Sequence, residues 1–196
     1  FGSDFKIAWS STLLGHASAI GGIIRITDLD FVPSGGGQTS LWFVGSSNGN
    51  CGHLVPPPPG GFYQTDAAGY HAIIGALDLA SCELDYCTTW GSETSGIYTA
   101  PYAVHSADGS VWVAGYTSGT EFSATQLPAP SAPGTGAIHS ATHAGGLGGQ
   151  WSNAFILRLK PSSYHLDYGT LIGGERDDIL LDITSDPNGN VYFTGE

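Results

Sequence analysis

Seven histidines and seventeen carboxylates share this chain of 196 residues with only five Lys and Arg. Metal binding and acid–base chemistry are therefore the first possibilities to weigh. His139 and His143 stand i, i+4 apart, the spacing at which one helical face would offer two imidazoles to a metal. Their setting, GTGAIHSATHAGGLGG, is too rich in glycine for a helix, which makes them weak candidates. Glu93 and Glu175 hold matching places in two related segments, and Asp177 and Asp178 follow closely. Carboxylates gathered on one face could bind a cation or work as an acid–base pair; the alternative is a solvated acidic loop. Trp42 and Trp112 also match one another, together with Tyr192. Aromatic side chains of this kind are expected to pack at the outer edge of each blade, with contact to sugars or a neighbour as the alternative.

Asp186, Asn188 and Asn190 around Gly189 carry oxygen at alternate positions, as a calcium loop does. The bidentate Glu that such a loop needs further on is missing. The related stretch SADGSVWVAG (106–115) keeps a turn dipeptide, Asp108-Gly109, and not the acidic ligands. Asp-Gly and Asn-Gly both tolerate φ > 0, so the shared feature is a hairpin turn. No GxSxG, HExxH, Walker or dinucleotide motif is present, and no cofactor is expected. The three cysteines, Cys51, Cys82 and Cys87, match no zinc pattern. A Cys82–Cys87 disulfide across a tight turn is the first expectation, and it would imply an oxidising compartment. Three reduced thiols are the alternative, and an odd count leaves one sulfur without an assignment.

The elements that must position these groups show themselves as repeats. HAIIGALDLASCELDYCTTWGSETSG (71–96) aligns without a gap on NAFILRLKPSSYHLDYGTLIGGERDD (153–178), with 10 of 26 positions identical. After a slip of two residues, 106–115 pairs with DPNGNVYFTG (186–195), and SLWFVG (40–45) and WSSTLLG (9–15) supply pieces of an earlier copy. Within a unit the pattern is β throughout. AFILRLK alternates, with Phe155, Leu157 and Leu159 on one face and Ile156, Arg158 and Lys160 on the other. Four short antiparallel strands per unit, rich in Gly and aromatics, predict an all-β chain of about three β-propeller blades. The expected division is a partial blade at 1–50, a Gly/Pro-rich connection at 51–70, a second blade at 71–116, a long connection at 117–152 and a third blade at 153–196.

These units resemble the SBBP family, a seven-bladed β-propeller repeat of secreted and surface bacterial proteins. Asn153-Ala154-Phe155-Ile156-Leu157-Arg158-Leu159-Lys160-Pro161 matches its Asp-Ala-Phe-Val-x-Lys-Leu-x-Pro pattern. Tyr168 to Gly174 matches its Tyr-Ser-Thr-Tyr-Leu-Gly-Gly, and Asp186 to Gly195 its Asp-x-x-Gly-Asn-Val-Tyr-Val-Thr-Gly. Residues 115–122 echo the continuation of the last motif. The first unit departs most, with FVPSGGGQTS inserted before its last strand. The resemblance implies a propeller and supplies no catalytic residues. Three blades cannot close a ring, so either a longer chain or several copies are expected.

A net charge of −12 leaves almost no cationic footprint for nucleic acid, and no apolar run is long enough to span a membrane as a helix. The composition points to an extracellular or cell-surface protein. The long connections are the expected binding face, with Pro56 to Pro59 as a polyproline II stretch that could dock an aromatic groove or act as a stiff spacer. The function expected is a non-catalytic structural or adhesive propeller that binds a protein or glycan, or assembles through its blade edges as part of a filament. The alternative is a propeller hydrolase or lyase with a loop-built site near the central channel.

Overall fold

The computed structural model of the chain describes residues 24–34, 38–48, 55–64, 70–91, 98–107, 109–119, 140, 151–186 and 188–196. They form ten strands and, among the described residues, no helix. In order these are β1 (Ile24–Ser34), β2 (Gln38–Ser47), β3 (His71–Asp78), β4 (Glu83–Trp90), β5 (Thr99–Ala107), β6 (Ser110–Thr117), β7 (Asn153–Lys160), β8 (His165–Ile172), β9 (Leu180–Ser185) and β10 (Val191–Gly195). All neighbours pair antiparallel. The first sheet is β1-β2-β3-β4, the second is β5-β6-β7-β8, and the third is the β9-β10 hairpin.

This grouping corrects the expected one by half a unit. Residues 71–116 do not form one sheet: β3 and β4 complete the first sheet, while β5 and β6 begin the second. The connections at 48–70 and 118–152 therefore join neighbouring strands of the same sheet, and 91–98 and 173–179 are the steps between sheets. The physical reason is that loop-closure entropy rises only slowly with length, so a long connection does not push two strands into different sheets. A repeat offset also carries a period without a starting point.

The local devices recur at the repeat spacing. Cys82 and Tyr164 sit at equivalent positions in the two four-residue turns, and both have positive φ, 60° and 55°. β4 and β8 each bulge at the next equivalent pair, Asp85 and Asp167, which the ladders skip. A second bulge lies in β1, β5 and β9, at Thr27, Tyr102 and Leu181. Opposite it stand Gly45, Gly115 and Gly195. A Cβ on any of them would run into the carbonyl oxygen of Arg25, Ala100 or Ile179 respectively, so the bulge admits only glycine across from it. The insertion in the first unit breaks nothing. It lengthens the β1–β2 hairpin, whose pairing continues out to Ser34 opposite Gln38.

The sheets stack face to face, and the cores lie between them. Trp42, Val44, Ala72, Ile74, Tyr86 and Trp90 of the first sheet bury against Val111, Val113, Phe155, Leu157 and Leu159 of the second. Trp90 meets Phe155 edge-on at 4.6 Å, and Tyr86 stacks on Tyr164 at 4.5 Å; each such pair adds about 0.5–1.5 kcal/mol beyond burial. The opposite face of the second sheet, with Ala114, Ala154 and Ile156, packs on Leu180 and Ile183 of the third. The alternation expected of AFILRLK is thus the one that divides β7 between the two cores.

Candidate functional site

The strands that open each sheet, β1, β5 and β9, lie side by side where the sheets meet. An edge strand carries unpaired N–H groups that must find partners. β1 supplies them to β5. Asp28 Oδ2 accepts from the Val104 N–H at 2.9 Å, and Asp30 Oδ2 accepts from the Ser106 N–H at 2.7 Å. Thr27 Oγ1, on the bulge, donates to the Pro101 carbonyl at 2.8 Å. Because side chains of one strand face alternate by two, Asp28 and Asp30 point the same way and match every second amide of β5.

His105 stands at the centre of this row. Its Nε2 is 3.0 Å from Ser185 Oγ on β9, and its Nδ1 is 3.7 Å from Asp30 Oδ2 on β1. Serine, imidazole and carboxylate in that order are the parts of a nucleophile, base and orienter. The geometry falls short of that chemistry. The Nδ1–Oδ2 separation is beyond hydrogen-bond length, and both Asp30 oxygens already accept backbone N–H groups, Oδ1 from Phe31 at 2.8 Å and Oδ2 from Ser106. What the row does is tie three sheets together through polar side chains.

The outer edges are clasped by the long connections. Val55 exchanges backbone hydrogen bonds with Cys87 at 3.0 and 3.1 Å, the Gln64 carbonyl accepts from Thr89 N–H at 3.2 Å, and the Gln64 N–H donates to Thr88 Oγ1 at 2.8 Å. On β8 the Ser140 carbonyl accepts from Leu171 N–H at 2.7 Å, and the Ser140 N–H donates to Thr170 Oγ1 at 2.9 Å. Thr88 and Thr170 are equivalent in the repeat, so the clasp is built twice. Pro56 to Pro59 belong to this strap: they lead from Val55 to Phe62, whose N–H donates to the Tyr164 carbonyl at 2.8 Å. Tyr164, half-buried there beside Asp85, has its phenol pushed up to about 12, first by burial and then by the carboxylate.

The residues singled out in the sequence fare differently. Trp42 is fully buried against Tyr86 and Tyr164, at 5.9 and 5.7 Å. Trp112, at the equivalent place in β6, is half-buried under Arg158, 5.4 Å from its ring, and meets Tyr168 at 6.2 Å. Arg158 is itself held by a bidentate pair with Asp167, Nε–Oδ1 at 2.8 Å and a second bond at 3.2 Å. Tyr192, equivalent in β10, is 53% exposed. Exposure rises along this series because each ring faces the following sheet: four strands cover Trp42, two cover Trp112, and none among the described residues covers Tyr192.

Glu175 is exposed. Asp177 Oδ1 accepts from Ser152 N–H at 2.7 Å and Asp178 Oδ2 from Gly174 N–H at 2.8 Å, which shapes the step from β8 to β9. Among the described residues no group of His, Cys, Asp and Glu converges as a metal site. Glu93, His139, His143 and Cys51 lie outside the described residues. Cys82 and Cys87 are two separate thiols, a correction to the expected disulfide. Cys82 is in the exposed turn and Cys87 is buried on β4, five residues further along an extended strand. At about 3.3 Å per residue that separation far exceeds disulfide reach.

The Asp186 turn is a hairpin held by its own aspartate. Its carboxylate accepts from the N–H groups of Asn188 and Asn190 at 2.8 and 3.0 Å, from Asn190 Nδ2 at 2.8 Å and from the Tyr192 hydroxyl at 3.1 Å. Hydrogen bonds led by that of the Asn190 side chain hold its carboxyl down to about 2. Gly189 has φ 83°. Sequence reasoning missed Asp28, Asp30, His105 and Ser185. The available signal was Asp-x-Asp on a strand that opens a unit, with His at the equivalent place in the next unit.

No protein-family model matches this chain, and no curated protein matches it.

Proposed function

We propose that this chain is part of an extracellular or cell-surface β-propeller of the SBBP type, a non-catalytic structural or adhesive protein. Its work is assembly and the presentation of long connections to a protein or glycan partner. The observation that carries the reading is that both ends of the stack are apolar. Ile26, Leu29 and Phe31 are 43%, 53% and 59% exposed on the first sheet, and Leu181 and Tyr192 are 49% and 53% exposed on the third. Internal sheet faces of the same repeat are buried, so these end faces match further sheets. Successive four-stranded meanders with adjoining first strands support the propeller. The acidic, Lys-poor composition supports a location outside the cell.

Sedimentation velocity on the purified chain tests it. Particles heavier than the 20.3 kDa chain, growing with concentration and reduced by the pair Phe31→Asp and Tyr192→Asp, are expected. A chain that stays monomeric at every concentration, with its end faces in water, would contradict the reading. The alternative, a hydrolase, is favoured by one observation, the Ser185–His105 contact. Labelling of Ser185 by a fluorophosphonate, lost in His105→Ala, would establish it.

A further inference from the structure

Four tyrosines gather at one end of the second sheet. Tyr70 and Tyr98 stand just ahead of β3 and β5, joined by a parallel bridge in which the Thr99 N–H donates to the Tyr70 carbonyl at 2.8 Å. Their ring centroids are 5.7 Å apart, with 34° between the planes. Tyr116 on β6 faces Ala100 on β5, and Tyr102, on the β5 bulge, stacks on it at 5.8 Å and 27°. Opposite residues of a ladder point to one face, and so do residues two apart on a strand. Tyr98, Tyr102 and Tyr116 therefore stand around Ala100, which places a single methyl group between three rings. Tyr98 is 53% exposed and the other three are half-buried, so the group opens to water.

Burial first, and then the phenols of Tyr102, Tyr70 and Tyr98 and the carboxylate of Asp177, push the Tyr116 phenol up. Groups that oppose a new negative charge at one point favour a positive one there. The same strand shows what its rings do with a cation. Four residues away on this face of β6, Trp112 and its neighbour Tyr168 hold the Arg158 guanidinium at 5.4 and 5.9 Å. Among the described residues no cation lies over the tyrosine group. The other polar groups nearby are bonded to one another. Tyr98 N–H donates to Ser118 Oγ and Ser118 N–H to the Tyr98 carbonyl, both at 2.9 Å, and the Thr99 and Thr117 hydroxyls share a bond of 2.9 Å. A sugar needs a converging set of donors and acceptors, as does a guanidinium or a primary ammonium. A quaternary ammonium carries no donor and binds through ring faces.

We infer that Tyr70, Tyr98, Tyr102 and Tyr116 form a binding site for a quaternary ammonium cation of the choline type, with Asp177 adding negative charge beside them. A net charge of −12 draws such a ligand to the chain. Each exposed ring contributes a factor of about 2–5 in affinity, so four rings give a dissociation constant on the order of millimolar. The site is built from β5, β6 and the residues just ahead of β3 and β5, and uses neither end face of the stack. It therefore stands whether or not the chain assembles.

The test titrates choline into the full chain and follows its methyl protons by saturation-transfer NMR. Saturable binding is expected, and the uncharged isostere in which carbon replaces the nitrogen should bind about tenfold more weakly. Tyr98→Leu should weaken choline about fivefold and Tyr98→Phe less than about twofold, while Tyr192→Leu, away from the site, should leave it unchanged. Emission from the core residues Trp42 and Trp90 confirms that each variant is folded. Vesicles separate the sources of the cation. Sedimentation of the chain with phosphatidylcholine and not with phosphatidylglycerol places the ammonium on a lipid surface, choline binding without it places the ligand in solution, and either supports the site. Equal affinity for choline and its uncharged isostere would reduce the group to an apolar patch and overturn the inference. Displacement of choline by glucose, equal loss in Tyr98→Leu and Tyr192→Leu, or no saturable binding would overturn it as well.

Discussion

Replacing Asp28 by alanine should loosen the junction between the first two sheets. Asp28 Oδ2 accepts the Val104 N–H at 2.9 Å, and Val104 is only 5% exposed in the core between those sheets. Without the carboxylate that amide has no partner on the β5 edge. An unsatisfied buried N–H costs about 1–3 kcal/mol. Asp28 itself is partly exposed, so relief of its own desolvation is small and the net loss should be about 1–2 kcal/mol. For a chain of this length that is a fall in melting temperature of about 2–8 °C. Asp28→Asn keeps an oxygen acceptor and should lose less than half as much. Denaturant unfolding followed by tryptophan fluorescence reads the loss, because Trp42 and Trp90 sit in the affected core. Hydrogen exchange localises it, with the Val104 amide accelerated more than its neighbours in β6. An alanine variant as stable as the parent, with Val104 still slow, would refute the idea that β1 carboxylates hold the β5 edge.

Other outcomes follow from the same geometry. Gly115→Ala forces a Cβ into the Ala100 carbonyl and should cost about 1–3 kcal/mol of unfolding free energy, while Gly174→Ala, with open space around it, should stay within about 0.5 kcal/mol; denaturant melts of the two compare them directly. The Asp186 carboxyl is depressed from 3.8 to about 2, so its contribution to the β9–β10 hairpin is complete above pH 3.8 and is lost as pH falls through about 2. Exchange at the Asn188 and Asn190 amides should therefore speed up over that window beyond the intrinsic pH trend, and Asp186→Ala should show the fast rate already at pH 5. Under native conditions iodoacetamide should modify exposed Cys82 and spare buried Cys87, with both labelled after unfolding, as read by peptide mass spectrometry.

The strands themselves were legible because their alternation is strict: Phe155, Leu157 and Leu159 went to one core and Ile156 to the other, as the period of two requires. The hairpin reading of Asp186 to Asn190 was legible from the exchange of Asn-Gly for Asp-Gly between copies. Sheet membership was not, since β2 finds β3 across residues 48–70 and the intervening length says nothing about partners. The recurring glycines at 45, 115 and 195 were visible as a pattern, but their cause lies in a carbonyl that approaches from the neighbouring strand. The row from Asp30 through His105 to Ser185 was hidden for the same reason: its members are 75 or more positions apart and meet only because three sheets stack. Trp42 and Trp112 stand on β2 and β6, flanked by strands on both sides, and not at the outer edge of a blade as expected; their burial depends on what lies across the interface, which no single unit encodes.

Among the described residues β10 is a second strand that pairs on one side alone, with β9. Hydrogen exchange on the monomeric chain measures this strand by strand. Amides of β2 and β6, flanked on both sides, should exchange slowly throughout. Along β10, from Val191 to Gly195, slow and fast amides should alternate, the fast ones facing away from β9. A β10 as protected as β6 in the monomer would contradict it.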